Sequence, residues 1–183
     1  MTRQVKGLLF LHYVRMLKSR KHTDWGRQLL PADMRFLSQR IEPTASYPMD
    51  VFERLGLAIL DEIARGELGA VGEWGRQSAD LLVESVPGLL VPGDPRESLM
   101  RFQAMRGAFF DFDALRLAEV TDRTARLEMR FEMGDRAEQA ACVQARGFFQ
   151  RLVELAGGRE VRAAFEARAW EGDARTVTAL AWT

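Results

Sequence analysis

The sequence predicts an α+β fold: a helical amino-terminal half, then β-β-α-β-β forming a four-stranded antiparallel sheet with helices packed on one face. Three observations lead there. Residues 125–133, ARLEMRFEM, put Leu127, Met129, Phe131 and Met133 on one parity and Arg126, Glu128, Arg130 and Glu132 on the other. That period of two marks a strand with one buried and one polar face. Before Phe112 the apolar residues recur at helical spacing instead. After it, two hairpin-like segments flank one long helical stretch, and hairpins demand antiparallel pairing.

The elements follow in order. Val5, Leu9, His12 and Met16 share a stripe, predicting a helix over about residues 4–20. Short helices are expected around 24–30 and 32–40, separated by Pro31, with Asp24 and Asp33 near their starts. EPTASYP reads as a loop. Asp50 is placed as the cap of a helix with Phe52, Leu55, Ile59 and Ile63 on one face, ending near Gly66. Glycines at 66, 69, 72 and 75 lack the preceding strand and the spacing of a phosphate loop. They read instead as one side of a helix on which another backbone can come close, a helix that runs past Leu82 to Pro87-Gly88. Asp94-Pro95 opens a further helix carrying Leu99, Phe102, Met105 and Phe109.

Residues 114–121 and 125–133 are then the first two strands. Gly134-Asp135 opens a long helix with Ala141, Ala145, Phe148, Leu152 and Leu155 as its expected inner stripe, stopped by Gly157-Gly158. REVRAAFEARAW and RTVTALAW close the chain as a second hairpin across Glu171-Gly172-Asp173. No linker or repeat interrupts residues 1–183, so a single domain is expected, mainly helical over 1–112 and built of hairpins around a helix over 113–183.

With 26 basic and 26 acidic residues the net charge is zero, which gives no overall attraction to nucleic acid or an anionic membrane. Residues 1–40 nevertheless hold nine Lys/Arg against Asp24 and Asp33, a local balance of +7. Only three of the basic residues are Lys, an arginine bias typical of GC-rich coding, so single arginines are not read as phosphate clamps. One cysteine, Cys142, excludes an intramolecular disulfide and a Cys-rich zinc site. No signal peptide is convincing at the amino terminus, and no window reaches the roughly 18 apolar residues of a membrane span, so a cytoplasmic protein is expected.

No catalytic constellation emerges. His12 on its apolar stripe and His22 in KSRKHTDW are the two histidines, and no GxSxG elbow accompanies them. No carboxylate pair is fixed by spacing, and neither a metal site nor a cofactor is expected. His12, Phe109, Phe112, Phe148 and Phe149 are candidates for an apolar pocket, if they do more than fill the core. Trp170 and Trp182, with the basic cluster Lys18, Arg20 and Lys21, are candidates for a partner surface, because exposed tryptophans beside charges suit an interface. The polar strand face is expected to meet solvent, its alternating charges pairing across neighbouring strands.

The element order, with KGLLFLHYV at 6–14, SYPMDVFERL at 46–55, FFDFDALRLAEVTDRTARLEMRF at 109–131 and VTALAW at 177–182, resembles a known superfamily. It includes haem-NO-binding domains, the four-vinyl-reductase-type ligand-binding domain and vesicle-tethering transport-particle subunits. More closely, the chain looks like an uncharacterised paralogous family of myxobacteria. The resemblance implies a ligand-binding or scaffolding module, often dimeric, and not an enzyme. A haem-binding member needs a proximal histidine on a helix before the first hairpin; residues 60–115 contain no histidine, so haem is not expected. The leading expectation is a non-enzymatic regulatory or scaffolding module, a homodimer acting on a protein partner. The alternative is a small-molecule sensor with an apolar pocket between the long helix and the sheet.

Overall fold

The computed structural model describes residues 3–183. Its backbone forms two compact units. One takes in the chain up to Glu67 together with Gly107–Phe112; the other is Leu68–Arg106 with Asp113–Thr183. The division falls inside the stretch expected to be helical, because the helices after Leu68 pack on the long helix of the sheet-bearing half.

In the first unit, β1 (Gln4–Lys6) pairs antiparallel with β2 (Ser46–Pro48), Val5 standing opposite Tyr47. The helix expected from residue 4 therefore starts only at Gly7: α1 spans Gly7–Ser19. The strand wins the first three residues because Val5 also bridges Phe110 and the Lys6 N–H reaches the Phe109 carbonyl at 2.8 Å. Likewise β2 occupies part of the expected EPTASYP loop. Trp25–Arg27 make a single 3-10 turn whose Asp24 carboxylate accepts the Gly26 N–H, and α2 spans Pro31–Ser38. Helix α3 spans Met49–Glu62, and Pro48 rather than Asp50 sits at its cap position. Asp50 lies in the first turn, where it takes a bond from Arg54. The core is aromatic: Phe10 stacks on Tyr47 at 4.5 Å and meets the edge of Phe36 at 5.1 Å. Arg54 binds the buried Asp33 carboxylate through two nitrogens at 2.7 and 2.9 Å, the paired geometry that makes a buried charge tolerable.

The second unit carries the sheet. Helices α4 (Leu68–Ser85) and α5 (Pro95–Met105) precede β3 (Leu115–Val120) and β4 (Thr124–Met129); α6 (Asp135–Leu155), β5 (Arg162–Ala167) and β6 (Thr176–Ala181) complete it. Strand order is β3-β4-β6-β5, antiparallel throughout, with helices on one face. Asp94 caps α5 as expected, its carboxylate accepting the Glu97 N–H at 2.8 Å.

Alternation along β4 does what it should. Leu127, Met129 and Phe131 are buried, while Arg126 is exposed and pairs with Glu166 at 2.5 Å, reaching past Ala179 of the intervening β6. Arg116, opposite Glu128 in the register, pairs with it at 2.6 Å. The polar face is thus laced by cross-strand ion pairs. The strand itself stops at Met129, short of Met133. Glu132 turns to a φ of 57°, and the buried Glu138 carboxylate collects the N–H groups of Phe131 and Met133 at 2.8 and 3.1 Å.

The inner stripe of α6 is displaced from the expected one. Ala137, Glu138, Cys142, Val143, Gly147, Phe149, Leu152 and Val153 are buried, whereas Ala141, Ala145, Phe148 and Leu155 are half-buried. The cause is α4, whose glycines press backbone against backbone. A Cβ on Gly75 would lie 1.9 Å from the Gln144 carbonyl oxygen, and one on Gly147 would lie 2.1 Å from that of Gly72. Arg76 grips Glu154 through two nitrogens at 3.0 and 2.7 Å, and Arg151 reaches Asp80 at 2.9 Å, so the two helices are also clamped by charge.

Candidate functional site

The expected site residues fall into separate places. Lys18, Arg20 and Lys21 are exposed at the end of α1 and just beyond it. Trp182 is not a surface residue. It is 5% exposed, and its parity is that of Thr176, Thr178 and Leu180, the buried face of β6, continued one step past the strand. The expectation that it faces a partner is corrected on that ground. Trp170 is half-buried in a 3-10 turn, Ala169–Glu171, with its ring against the edge of Phe165 at 5.2 Å.

The aromatic candidates divide between the units. Phe109 is buried and Phe112 half-buried in the first, where Phe112 meets Phe110 at 5.5 Å. Phe148 and Phe149 lie on α6 in the second, both packed around Phe102 of α5. His12 is half-buried on α1; burial lowers its pKa, and Arg15 lowers it further, so it is a neutral imidazole near pH 7. Cys142 is fully buried, and desolvation pushes its thiol up to about 12, which makes it inert.

A cleft of about 460 Å³ opens in the second unit between the start of α4, the middle of α6, β5 and the 3-10 turn. Leu68, Val143, Phe165 and Trp170 give it apolar walls; Arg146, Arg168, Gln139 and Glu171 give it polar ones. Arg146 stands over the Phe165 ring, 4.5 Å from its centre. Burial and the neighbouring Arg168 both lower its pKa, and among the described residues no carboxylate pairs with it. Arg168 is tied to Glu171 at 3.2 Å. The turn bearing Trp170 is fixed by the Thr176 hydroxyl, which accepts the Ala169 N–H, and by Asp173, which accepts the Arg168 N–H.

The sequence pattern points to a pocket beside the long helix but not to Gln139, Arg146, Phe165 and Arg168 as its walls. The available signal was Arg146 itself: a charged residue three and four positions from the buried Val143 and Cys142, on the flank of an apolar stripe.

Among solved structures the chain is similar to H-NOX proteins. The Fe(II) unliganded H-NOX protein of K. algicida has a TM-score of 0.63 at 13% identity, over 97% of this chain and 96% of that one. The S. oneidensis H-NOX protein in its Fe(II)NO ligation state gives 0.63 at 9%, over 97% and 99%. A mutant of the T. tengcongensis H-NOX gives 0.61 at 14%, over 97% of each. The chain has the H-NOX fold. No protein-family model matches it, and no curated protein does.

An H-NOX fold raises the question of haem, and the donors do not fit a histidine-ligated one. The helix before the first hairpin is α5, PRESLMRFQAM, which has no histidine, cysteine or tyrosine. Its buried positions are Pro95, Ser98, Leu99 and Phe102, and its Gln103 amide oxygen is engaged by the Leu117 N–H at 2.9 Å. Both histidines lie in the other unit. Among the described residues no cluster of three or more His, Cys, Asp or Glu could hold a metal ion, and no helix is long and apolar enough to cross a membrane.

Proposed function

We propose that this chain is a non-enzymatic, small-molecule-binding sensor module that uses the H-NOX fold with an organic ligand in place of a histidine-held haem. The observation that carries the reading is the cleft beside α6, whose volume of about 460 Å³ falls in the roughly 300–1,000 Å³ range of ligand sites. The fold likeness supports the class of function, and an α5 without histidine, cysteine or tyrosine argues for a different ligand. A molecule seated in the cleft would touch α4, α6, β5 and the Trp170 turn together. It would tie that turn to the long helix, a differential contact of the kind through which a ligand shifts a conformational equilibrium.

Native mass spectrometry of freshly purified protein, with an absorption spectrum before and after added haemin, tests this. The expected result is a retained or recruitable organic mass, lost on denaturation, and no stoichiometric haem band. A bare polypeptide mass that no small molecule raises or stabilises would remove the binding reading. A sharp stoichiometric haem band would remove the claim about the ligand.

A further inference from the structure

We propose that the cleft selects an amphipathic monoanion: a carboxylate held by Arg146, with an apolar body lying against Phe165, Trp170, Val143 and Leu68. This deepens the binding reading above and rests on it.

The argument starts from how this chain treats its other arginines. On the contact between α4 and α6, Arg76 is matched to Glu154 and Arg151 to Asp80 and Glu154. Arg146 lies on the same helix and is half-buried, yet among the described residues it meets the face of Phe165 and a second cation, Arg168, and no carboxylate pairs with it. A guanidinium drawn from water without a carboxylate is costly, and an incoming anion offsets that cost. Its planar fork suits a carboxylate through two parallel bonds, while its face remains stacked on the ring.

Charge counting chooses a single anionic group. The second cation, Arg168, is already engaged by Glu171, so among the described residues the lining offers one unmatched positive charge. A phosphate monoester would meet half the charge it needs. Apolar walls share the cleft with Arg146, and Gly69 leaves the α4 side open: a Cβ there would meet nothing within 4 Å. The Gln139 amide lines the same cleft and can donate to a carboxylate or accept from a hydroxyl.

The test is calorimetric titration of the full chain with 4-phenylbutyrate, its uncharged amide 4-phenylbutanamide, and inorganic phosphate. The acid is expected to bind at least about tenfold more tightly than the amide, and phosphate not measurably, since a charge-assisted pair is at stake. Arg146→Gln should weaken the acid by about tenfold or more, with Arg146→Lys recovering part of the loss. Gly69→Met should fill the cleft and abolish binding while leaving the thermal midpoint intact or raised. Arg162→Gln, on the opposite face of β5, should change nothing. Equal affinity for acid and amide, tighter phosphate binding, or acid binding indifferent to both Arg146→Gln and Gly69→Met would overturn the proposal. A co-purified mass that survives both variants would refute this cleft yet keep the module reading; no mass and no binding would sink both.

Discussion

Adding one methyl group at Gly75 should cost more stability than helix propensity returns. The new Cβ would sit 1.9 Å from the Gln144 oxygen, 2.8 Å from its carbon and 3.1 Å from the Phe148 nitrogen, all of them main-chain atoms. Ordinary contact begins near 3.4 Å, so α4 and α6 would have to part by about 1.5 Å, and no side-chain rotation can absorb that. Overpacking of this kind costs about 1–3 kcal/mol and sometimes more, while Ala in place of Gly within a helix returns about 1 kcal/mol. With the clash at the upper end, Gly75→Ala is expected to lose about 2 kcal/mol net, a fall of roughly 4–8 °C for a chain of this size. Gly69→Ala is the control on the same helix: its Cβ meets open space, so propensity acts alone and the midpoint should rise about 2–4 °C. Thermal melts followed by far-ultraviolet circular dichroism read both. A Gly75→Ala protein as stable as the parent, or a Gly69→Ala protein that falls with it, would refute the backbone contact.

Two further outcomes follow from buried charge. Glu138→Ala strands the N–H groups of Phe131 and Met133 and should cost about 2–4 kcal/mol in urea unfolding; Glu138→Gln, which keeps one acceptor oxygen, should cost less. Arg76 first, and then Arg151, holds the Glu154 pKa below its ordinary value of 4.5. A depressed carboxylate stabilises the fold above its unfolded-state pKa and loses that contribution as pH falls through the folded one. Stability should therefore decline below about pH 4.5, and Glu154→Gln should flatten that decline. An unchanged pH slope in the variant would show that the clamp carries no energy.

The sheet was legible in the sequence because its signal is local. The parity of Leu127, Met129 and Phe131 fixes a face, and a strand's neighbours cannot change which side a residue points to. Asp94-Pro95 was legible as a helix start because capping is settled within four residues. The failures lie where a distant partner decides. Residues 4–6 carry a helical pattern but are claimed as a strand by Tyr47 and Phe110, more than forty positions away. The inner stripe of α6 turned because glycines some seventy residues earlier admit a helix against its flank. Trp182 is not the exposed tryptophan that its place near the chain's end suggests, because one step past β6 it keeps the buried parity of Thr176, Thr178 and Leu180. The cleft was invisible for the same reason: its walls come from residues 68–72, 139–146 and 165–171, and only folding brings them together.

The chain's use of α5 explains how an H-NOX fold can stand without an iron ligand on that helix. Metal binding to a side chain anchors the helix that carries it. Here the anchoring comes from ordinary hydrogen bonds: Gln103 accepts the Leu117 N–H of the first hairpin. Ser98, fully buried, accepts the Val91 N–H and donates to the Asp94 carbonyl. Leu99 and Phe102 fill the space beneath, with Phe102 edge-on to Phe149 at 4.8 Å. Each of these contacts is made within the sheet-bearing unit and would persist with no bound group. A helix held in this way has no need of a coordinate bond. On the next helix, Arg146 has no carboxylate partner among the described residues, and there the proposed ligand would supply one.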